Sequence, residues 1–299
     1  MRVKTPSRVI VTASDENYAW LCLNLLESLG KWARITHVID IGLTPASRQA
    51  IESRCAGVVD VPEDAWTSAG VAVAYAGAMT IRPQLTRLFD HDYIMWIDAD
   101  CWVQDRSAVS TYFDIAQRDH GNFVLAAELD VEYPHCISAY DVRQERLRDL
   151  HSLLWDESVA EELHGKVLMN SGVFAASRQS PVWNACEEHV KMQYLENTRL
   201  ADSARLSHMA EQQSLNRVLH ETQLFTVMPA EFNWTCGAGP LVRNGFHVET
   251  PILRRRPRIV HLTQLSAFEA QYREKFLIYE SRRQRIRRFV RQRFLRQAD

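Results

Sequence analysis

The chain has 299 residues, 46% of them hydrophobic, and a formal net charge of −2, enough for one large α/β domain or two small ones with a sizeable core. No run of 18 apolar residues occurs and the opening MRVKTPS lacks the apolar centre of a secretory leader, so the expectation is a protein without a spanning helix, made and kept in the cytosol. Six cysteines (Cys22, Cys55, Cys101, Cys136, Cys186, Cys236) stand far apart with no CxxC pair, a pattern of packed, reduced thiols and not of a zinc site or a disulfide framework.

In chain order, Val9 to Val11 is a short β-branched run, Ser14 is in place to cap a helix, and Tyr18, Leu21, Cys22, Leu25, Leu26 and Leu29 follow helical spacing until Gly30. Thr36 to Ile41 reads as a second strand. Thr44-Pro45 carries the cap-then-proline signature of a helix that Gly57 is expected to close, and Val58 to Val61 reads as a third strand. This alternation predicts an α/β fold with a Rossmann-like, mainly parallel sheet flanked by helices. The fourth strand is Tyr93 to Ile97. Later strands are expected at Phe123 to Ala127, Val173 to Ala176 and Arg258 to Leu262, and helices at Pro181 to Leu195 and Glu211 to His220.

The stretch IMWIDADCWVQD, residues 94 to 105, ends an apolar strand on Asp98 and Asp100. Ligands of open parallel sheets bind beyond the carboxyl ends of strands. Two carboxylates at i and i+2 can reach one hard divalent cation, Mn2+ or Mg2+, and such a cation can hold a diphosphate. A solvated loop or a helix cap is the bland reading of the same pair. Against it stands the strand YIMWI, since a buried strand that aims two acids at one place is costly unless a cation arrives. His261, at the end of RIVHL, is the candidate third ligand.

VTASDENYAWLCLNLLESL (11 to 29), MWIDADCWV (95 to 103), LMNSGVFAAS (168 to 177), EQQSLN (211 to 216), EFNW (231 to 234) and VHL (260 to 262) resemble, in the same order, motifs of glycosyltransferase family 8. The resemblance spans about residues 7 to 265. It implies a domain of GT-A fold over 1–265, with a nucleotide-binding half (7–125) and a sugar and acceptor half (126–265), before a basic helical tail (266–299). It further implies a metal-dependent transfer of a hexose from a UDP-sugar to an acceptor hydroxyl, with retention at the anomeric carbon. Candidate acceptor-side elements lie between Glu128 and Lys166, including ELDVEYPHC and the charged helix around Arg143 to His151, without a recognisable pattern.

Carried across residue by residue, the resemblance places Ala13, Asp15 and Asn17 around the uridine with Tyr18 as a stacking partner. Arg82 falls near the donor phosphate and sugar; a surface arginine before Pro83 is the other reading. Asp98 falls near the ribose as well as the metal. Asn170 and Ser171 fall on the donor-sugar hydroxyls, with Gly172 allowing close backbone approach. Glu211 falls on a sugar hydroxyl and Gln212 beside the anomeric carbon, although EQQ also reads as the polar first turn of a helix. The family continues past its histidine with a glycine, a lysine and a tryptophan, whereas this chain reads HLTQLSAFEA. Arg254 to Arg258, Arg273 or Lys275 are the candidates to replace that lysine at the diphosphate.

Residues 273 to 299 hold ten Arg/Lys against three acids, a charge of +7, which leaves −9 on the other 272 residues. Phe276, Tyr279, Ile286, Phe289, Val290 and Phe294 give this tail the pattern of a basic amphipathic helix. Such a helix suits an anionic membrane surface, where a glycan or glycolipid acceptor of a bacterial envelope would be met, or packs on the domain. No motif supports nucleic-acid binding. A nucleotidyltransferase would need a Gly-rich phosphate loop after the first strand, and none is present. A nucleotide-sugar binding protein without transfer activity is the alternative from another class, supported by the missing lysine motif and opposed by the Asp98, Asp100 and His261 set.

Overall fold

The computed structural model describes residues 5–62, 65, 76–197, 200, 204–239, 241–244 and 247–263. The strands are β1 (Arg8–Ser14), β2 (Thr36–Asp40), β3 (Gly57–Asp60), β4 (Tyr93–Ile97), β5 (Cys101–Val103), β6 (Phe123–Ala127), β7 (Met169–Ser177), β8 (Phe225–Met228), β9 (Trp234–Thr235), β10 (Val242–Asn244), β11 (His247–Glu249) and β12 (Ile259–His261). The α-helices are α1 (Ala19–Leu29), α2 (Pro45–Glu52), α3 (Ala76–Ile81), α4 (Leu85–Leu88), α5 (Ser107–Arg118), α6 (Pro134–Ile137), α7 (Tyr140–Leu154), α8 (Glu157–Leu163), α9 (Val182–Glu196) and α10 (Ala204–Thr222).

Seven strands form the main sheet in the order β3-β2-β1-β4-β7-β6-β8. Only β7 runs against its neighbours, pairing antiparallel with both β4 and β6, while the other pairs are parallel. The central strands β1, β4, β7 and β6 are buried on both faces, which is why they read as mostly apolar runs and not as alternating ones. Val9, Val11, Ile94 and Trp96 pack with Trp183 of α9 and Leu215 of α10 on one side; Ile10, Met95 and Ile97 pack with Leu25 of α1 and Tyr112 of α5 on the other.

A second, three-stranded sheet has the order β5-β12-β9; of its strands only β12 is expected from the sequence, as the strand Arg258 to Leu262. It matters because β5 begins one residue after Asp100 and β12 ends on His261, with Cys101 and His261 paired directly across the strands. The two sheets therefore meet at the acidic pair.

Three local expectations change. Ser14 is the buried last residue of β1 and caps nothing; Asp15 holds the entry to α1, its Oδ1 accepting the Tyr18 N–H at 3.0 Å. Thr44 does cap α2, but that helix ends at Glu52, and Gly57 opens β3 because its residues extend to pair with β2. Glu211, Gln212 and Gln213 lie in the middle of α10, not in its first turn, since the helix already begins at Ala204. The basic tail from 273 to 299, including Arg273 and Lys275, lies outside the described residues.

Candidate functional site

A cavity of about 630 Å3 opens along the carboxyl edge of the main sheet and is lined by groups from both sheets and from α10. Ala13, Asp15, Tyr18, Arg82, Asp98, Asp100, Asn170, Ser171, Glu211, Gln212 and His261 all line it, although they come from six separate stretches of sequence. Asn17 does not. It is exposed, and its amide lies 3.5 Å from Asp15 Oδ2, so it braces the Asp15 turn from outside the cavity.

Asp98-Ala99-Asp100 is a turn and not a continuing strand: the Cys101 N–H closes it on the Asp98 carbonyl at 3.0 Å, and Leu262 N–H binds the Asp100 carbonyl at 3.1 Å. His261 Nε2 stands 3.2 Å from Asp100 Oδ1 and 3.6 Å from Asp98 Oδ2. Burial alone would depress the His261 pKa, but the carboxylates of Asp100 and Asp98 outweigh it and hold the pKa above its ordinary value. For Asp98, burial pushes the carboxyl up, against the pull of Arg82 and His261.

The tautomer of His261 is set through two amides. Gly172 N–H, which can only donate, binds Asn170 Oδ1 at 2.8 Å and so fixes which end of that amide is oxygen. Asn233 must then present its nitrogen to the same oxygen, at 2.7 Å, and its own Oδ1 to His261 Nδ1, at 3.1 Å. The imidazole proton of the neutral ring therefore sits on Nδ1, and the Nε2 lone pair points at the two carboxylates. This is the arrangement of a metal-ligating histidine, whose other nitrogen is held by a second group.

Two carboxylates and a neutral imidazole fit Mn2+ or Mg2+. The thiol of Cys101 also offers an atom within 4.8 Å of ligand atoms of Asp100 and His261. It is buried in the core, where desolvation and the two aspartates push its pKa well above the usual thiol range, so it stays protonated and is no ligand for a hard cation.

Arg82 is buried, not a surface residue. Its guanidinium donates to Asp98 Oδ1 at 2.8 Å, to Glu211 Oε2 at 2.6 Å and to Ser171 Oγ at 2.7 Å, and lies 4.8 Å over the Trp96 ring. Trp96 Nε1 donates to the same Asp98 oxygen at 2.6 Å. Burial pushes the Glu211 carboxyl up, while Arg82 and Ser171 pull it back. Arg82 thus ties β4, β7 and α10 together as a charged floor.

Glu128, one residue past β6, was not read from the sequence as a site residue. Its Oε1 accepts from Asn170 Nδ2 at 2.7 Å and from Gln212 Nε2 at 3.1 Å, and its Oε2 is paired with Arg143 of α7. The signal was present: FVLAAE ends an apolar strand on an acid, as YIMWID does. Asn233 was inside a motif, EFNW, without a role. Arg254, Arg255 and Arg258 turn elsewhere, pairing with Glu249, with Asp130 and Glu132, and with Asp105. No residue from 254 to 258 lines the cavity.

No protein-family model matches the sequence, and no curated protein matches it significantly. Solved structures do resemble the fold. The galactosyltransferase LgtC, in complex with donor and acceptor sugar analogues, is 19% identical with a TM-score of 0.54, over 85% of this chain and 86% of that one. An active-site mutant of LgtC, 20% identical, gives a TM-score of 0.53 over the same shares. The bifunctional glycosyltransferase WbbM is 14% identical with a TM-score of 0.54, over 88% of this chain and 47% of that one. The mixed sheet, the acidic turn at its carboxyl edge and these likenesses agree that the chain has the GT-A fold of such glycosyltransferases.

Proposed function

We propose that the chain is a divalent-cation-dependent hexosyltransferase that moves a sugar from a UDP-sugar to an acceptor hydroxyl. The observation that carries this reading is the convergence of Asp98, Asp100 and the Nε2 lone pair of His261 at one point of a cavity large enough for a nucleotide sugar. Fold alone would not support it, because folds host many functions. Residues 7–125 would hold the nucleotide, with Ala13, Asp15 and Tyr18 against the uridine, and residues 126–265 the sugar and acceptor. Mn2+ or Mg2+ would supply charge neutralisation for the diphosphate leaving group.

Around that group the chain's own residues orient the reactants. Arg82 holds Asp98, Ser171 and Glu211 in place, and Asn170, Ser171 and Glu211 would read the donor-sugar hydroxyls. Gln212, anchored on Glu128, would set its amide beside the anomeric carbon; a glutamine-to-glutamate change also defines the active-site mutant of LgtC. In the transfer, the bond from C1 to the diphosphate oxygen breaks, a bond from C1 to the acceptor oxygen forms, and the acceptor's proton passes to a phosphate oxygen of the departing UDP. An amide is a poor nucleophile for a double displacement, so attack on the face the leaving group vacates, with retention, is the favoured course.

The acceptor proposed is a glycan or glycolipid of a bacterial envelope, met at the cytoplasmic face of the inner membrane through the basic segment 273 to 299. Among the described residues no helix is long and apolar enough to cross a membrane.

The test is UDP release from a panel of UDP-sugars with and without Mn2+. At least one donor should give metal-stimulated release, and Asp98→Asn should abolish it with the far-UV spectrum unchanged. Binding of UDP-sugars with no release from any of them would leave only the nucleotide-sugar binding protein.

A further inference from the structure

Along the carboxyl edge of the main sheet the order is β1, β4, β7, β6. Ala13 and Asp15 stand at β1, Asp98 at β4, Asn170 and Ser171 on β7, and Glu128 past β6. At a strand spacing of about 4.8 Å, the β6 position is roughly 14 Å from β1. A donor with its base at β1 and its diphosphate at the acidic turn therefore delivers its sugar at β7. The wall beyond, built on β6, is left for the second reactant.

That wall is made by Glu128, by His135 of α6 and by Arg143 of α7, all of which line the cavity. Arg143 donates to the Glu128 carbonyl at 2.9 Å, pairs with its carboxylate, and lies 2.7 Å from His135 Nε2. A guanidinium has no acceptor, so His135 Nε2 must accept and the ring proton lies on Nδ1. Burial, then the Arg143 charge, depress the His135 pKa, which keeps that ring neutral. The wall is also rigid. Tyr133 packs on Trp234 with ring centroids 4.6 Å apart, accepts the Thr235 N–H at 3.1 Å, and carries the His135 ring at 5.5 Å.

We propose that Glu128, His135 and Arg143 form the acceptor wall, and that the acceptor is an uncharged polyol: a sugar with no carboxylate or phosphate near its attacking hydroxyl. The proposal rests on the transferase reading of the same cavity. Its logic is charge balance. The one cation of this wall is spent on Glu128, so an anionic acceptor would have to take Arg143 away and leave Glu128, half-buried under the Asn170 and Gln212 amides, without its partner. Hydroxyls both donate and accept, and so meet a net-neutral wall of fixed donors and acceptors without breaking that pair.

The full chain, with Mn2+ and the UDP-sugar giving fastest UDP release, is offered 4-nitrophenyl hexosides and the matching hexuronides. The neutral acceptors should be used with kcat/KM roughly tenfold or more above the uronides. His135→Ala and Arg143→Lys should raise the acceptor KM by about tenfold and the donor KM by less than about twofold, with part of the loss recovered by His135→Gln. Equal or better use of uronides, transfer to neither class, or a donor KM that rises in step with the acceptor KM would overturn the proposal. Absence of UDP release from any donor would instead sink the transferase reading on which it stands.

Discussion

A Cβ built on Gly172 would stand 2.3 Å from His261 Cε1 and 2.7 Å from Asp98 Oδ2, so the glycine on β7 is the surface against which both side chains rest. Neither neighbour can yield without leaving the other. Gly172→Ala should therefore weaken Mn2+ binding by about 10- to 100-fold, as loss of a supporting residue does elsewhere, with the main sheet intact. Titration calorimetry against Mn2+, beside a far-UV spectrum, checks this; wild-type affinity in the alanine variant contradicts the close approach.

Asn233 is the middle of the amide relay that keeps the proton on His261 Nδ1. Asn233→Leu removes the acceptor and leaves Asn170 Oδ1 with one donor fewer in a buried place, at a cost of about 1–3 kcal/mol in stability. Mn2+ affinity should fall about 10-fold or more in the same variant. Urea unfolding and metal titration read the two effects separately.

Arg82 compensates two acids, the buried Glu211 and the partly buried Asp98. Arg82→Ala should destabilise the protein by about 3–5 kcal/mol, and adding Glu211→Gln should restore part of that, because the second change removes one of the orphaned charges. Denaturant midpoints of the two singles and the double form the cycle; strictly additive losses would mean that Arg82 and Glu211 act independently.

The raised pKa of His261 has consequences of opposite sign for metal and for fold. A proton on Nε2 excludes a cation, so Mn2+ affinity should fall with decreasing pH, beginning above the ordinary imidazole value of about 6.5. In the metal-free protein the imidazolium between two carboxylates is stabilising. That contribution is complete below the unfolded pKa and is lost as pH rises through the higher folded one. Thermal midpoints in EDTA should thus decline across pH 6 to 9, and saturating Mn2+ should abolish or reverse the decline; a flat EDTA profile would contradict the assignment.

What the sequence showed and what it hid divide along physical lines. Strands buried on both faces are legible as apolar runs, so Tyr93 to Ile97 and Phe123 to Ala127 were placed to the residue. Helix ends were less legible: α2 ends at Glu52, five residues before the glycine expected to close it, and α10 is already helical at Ala204, seven residues before the expected start. Of the proposed site residues, those in motifs came together, Asn17 excepted. Arg82 was half legible: its neighbourhood was foreseen but not its burial, nor that its charge is spent on Asp98 and Glu211 before any phosphate arrives. Glu128, His135 and Arg143 lie in the stretch 128 to 166 that reads as acceptor-side without a pattern; FVLAAE marks Glu128, but the pairing of the three is tertiary, joining β6, α6 and α7.

The reversed strand β7 also bears on the order in which the chain can be assembled. As the polypeptide leaves the ribosome, β1 to β4 can pair in parallel at once, yet the far edge of β4, the wholly apolar YIMWI, has no partner until residues 173 to 177 emerge. Throughout that interval the nascent chain carries an open hydrophobic edge of the kind that invites pairing with other chains. The same late arrival brings Gly172 against Asp98, and His261 follows later still, so the proposed cation site would be complete only once residue 261 has emerged.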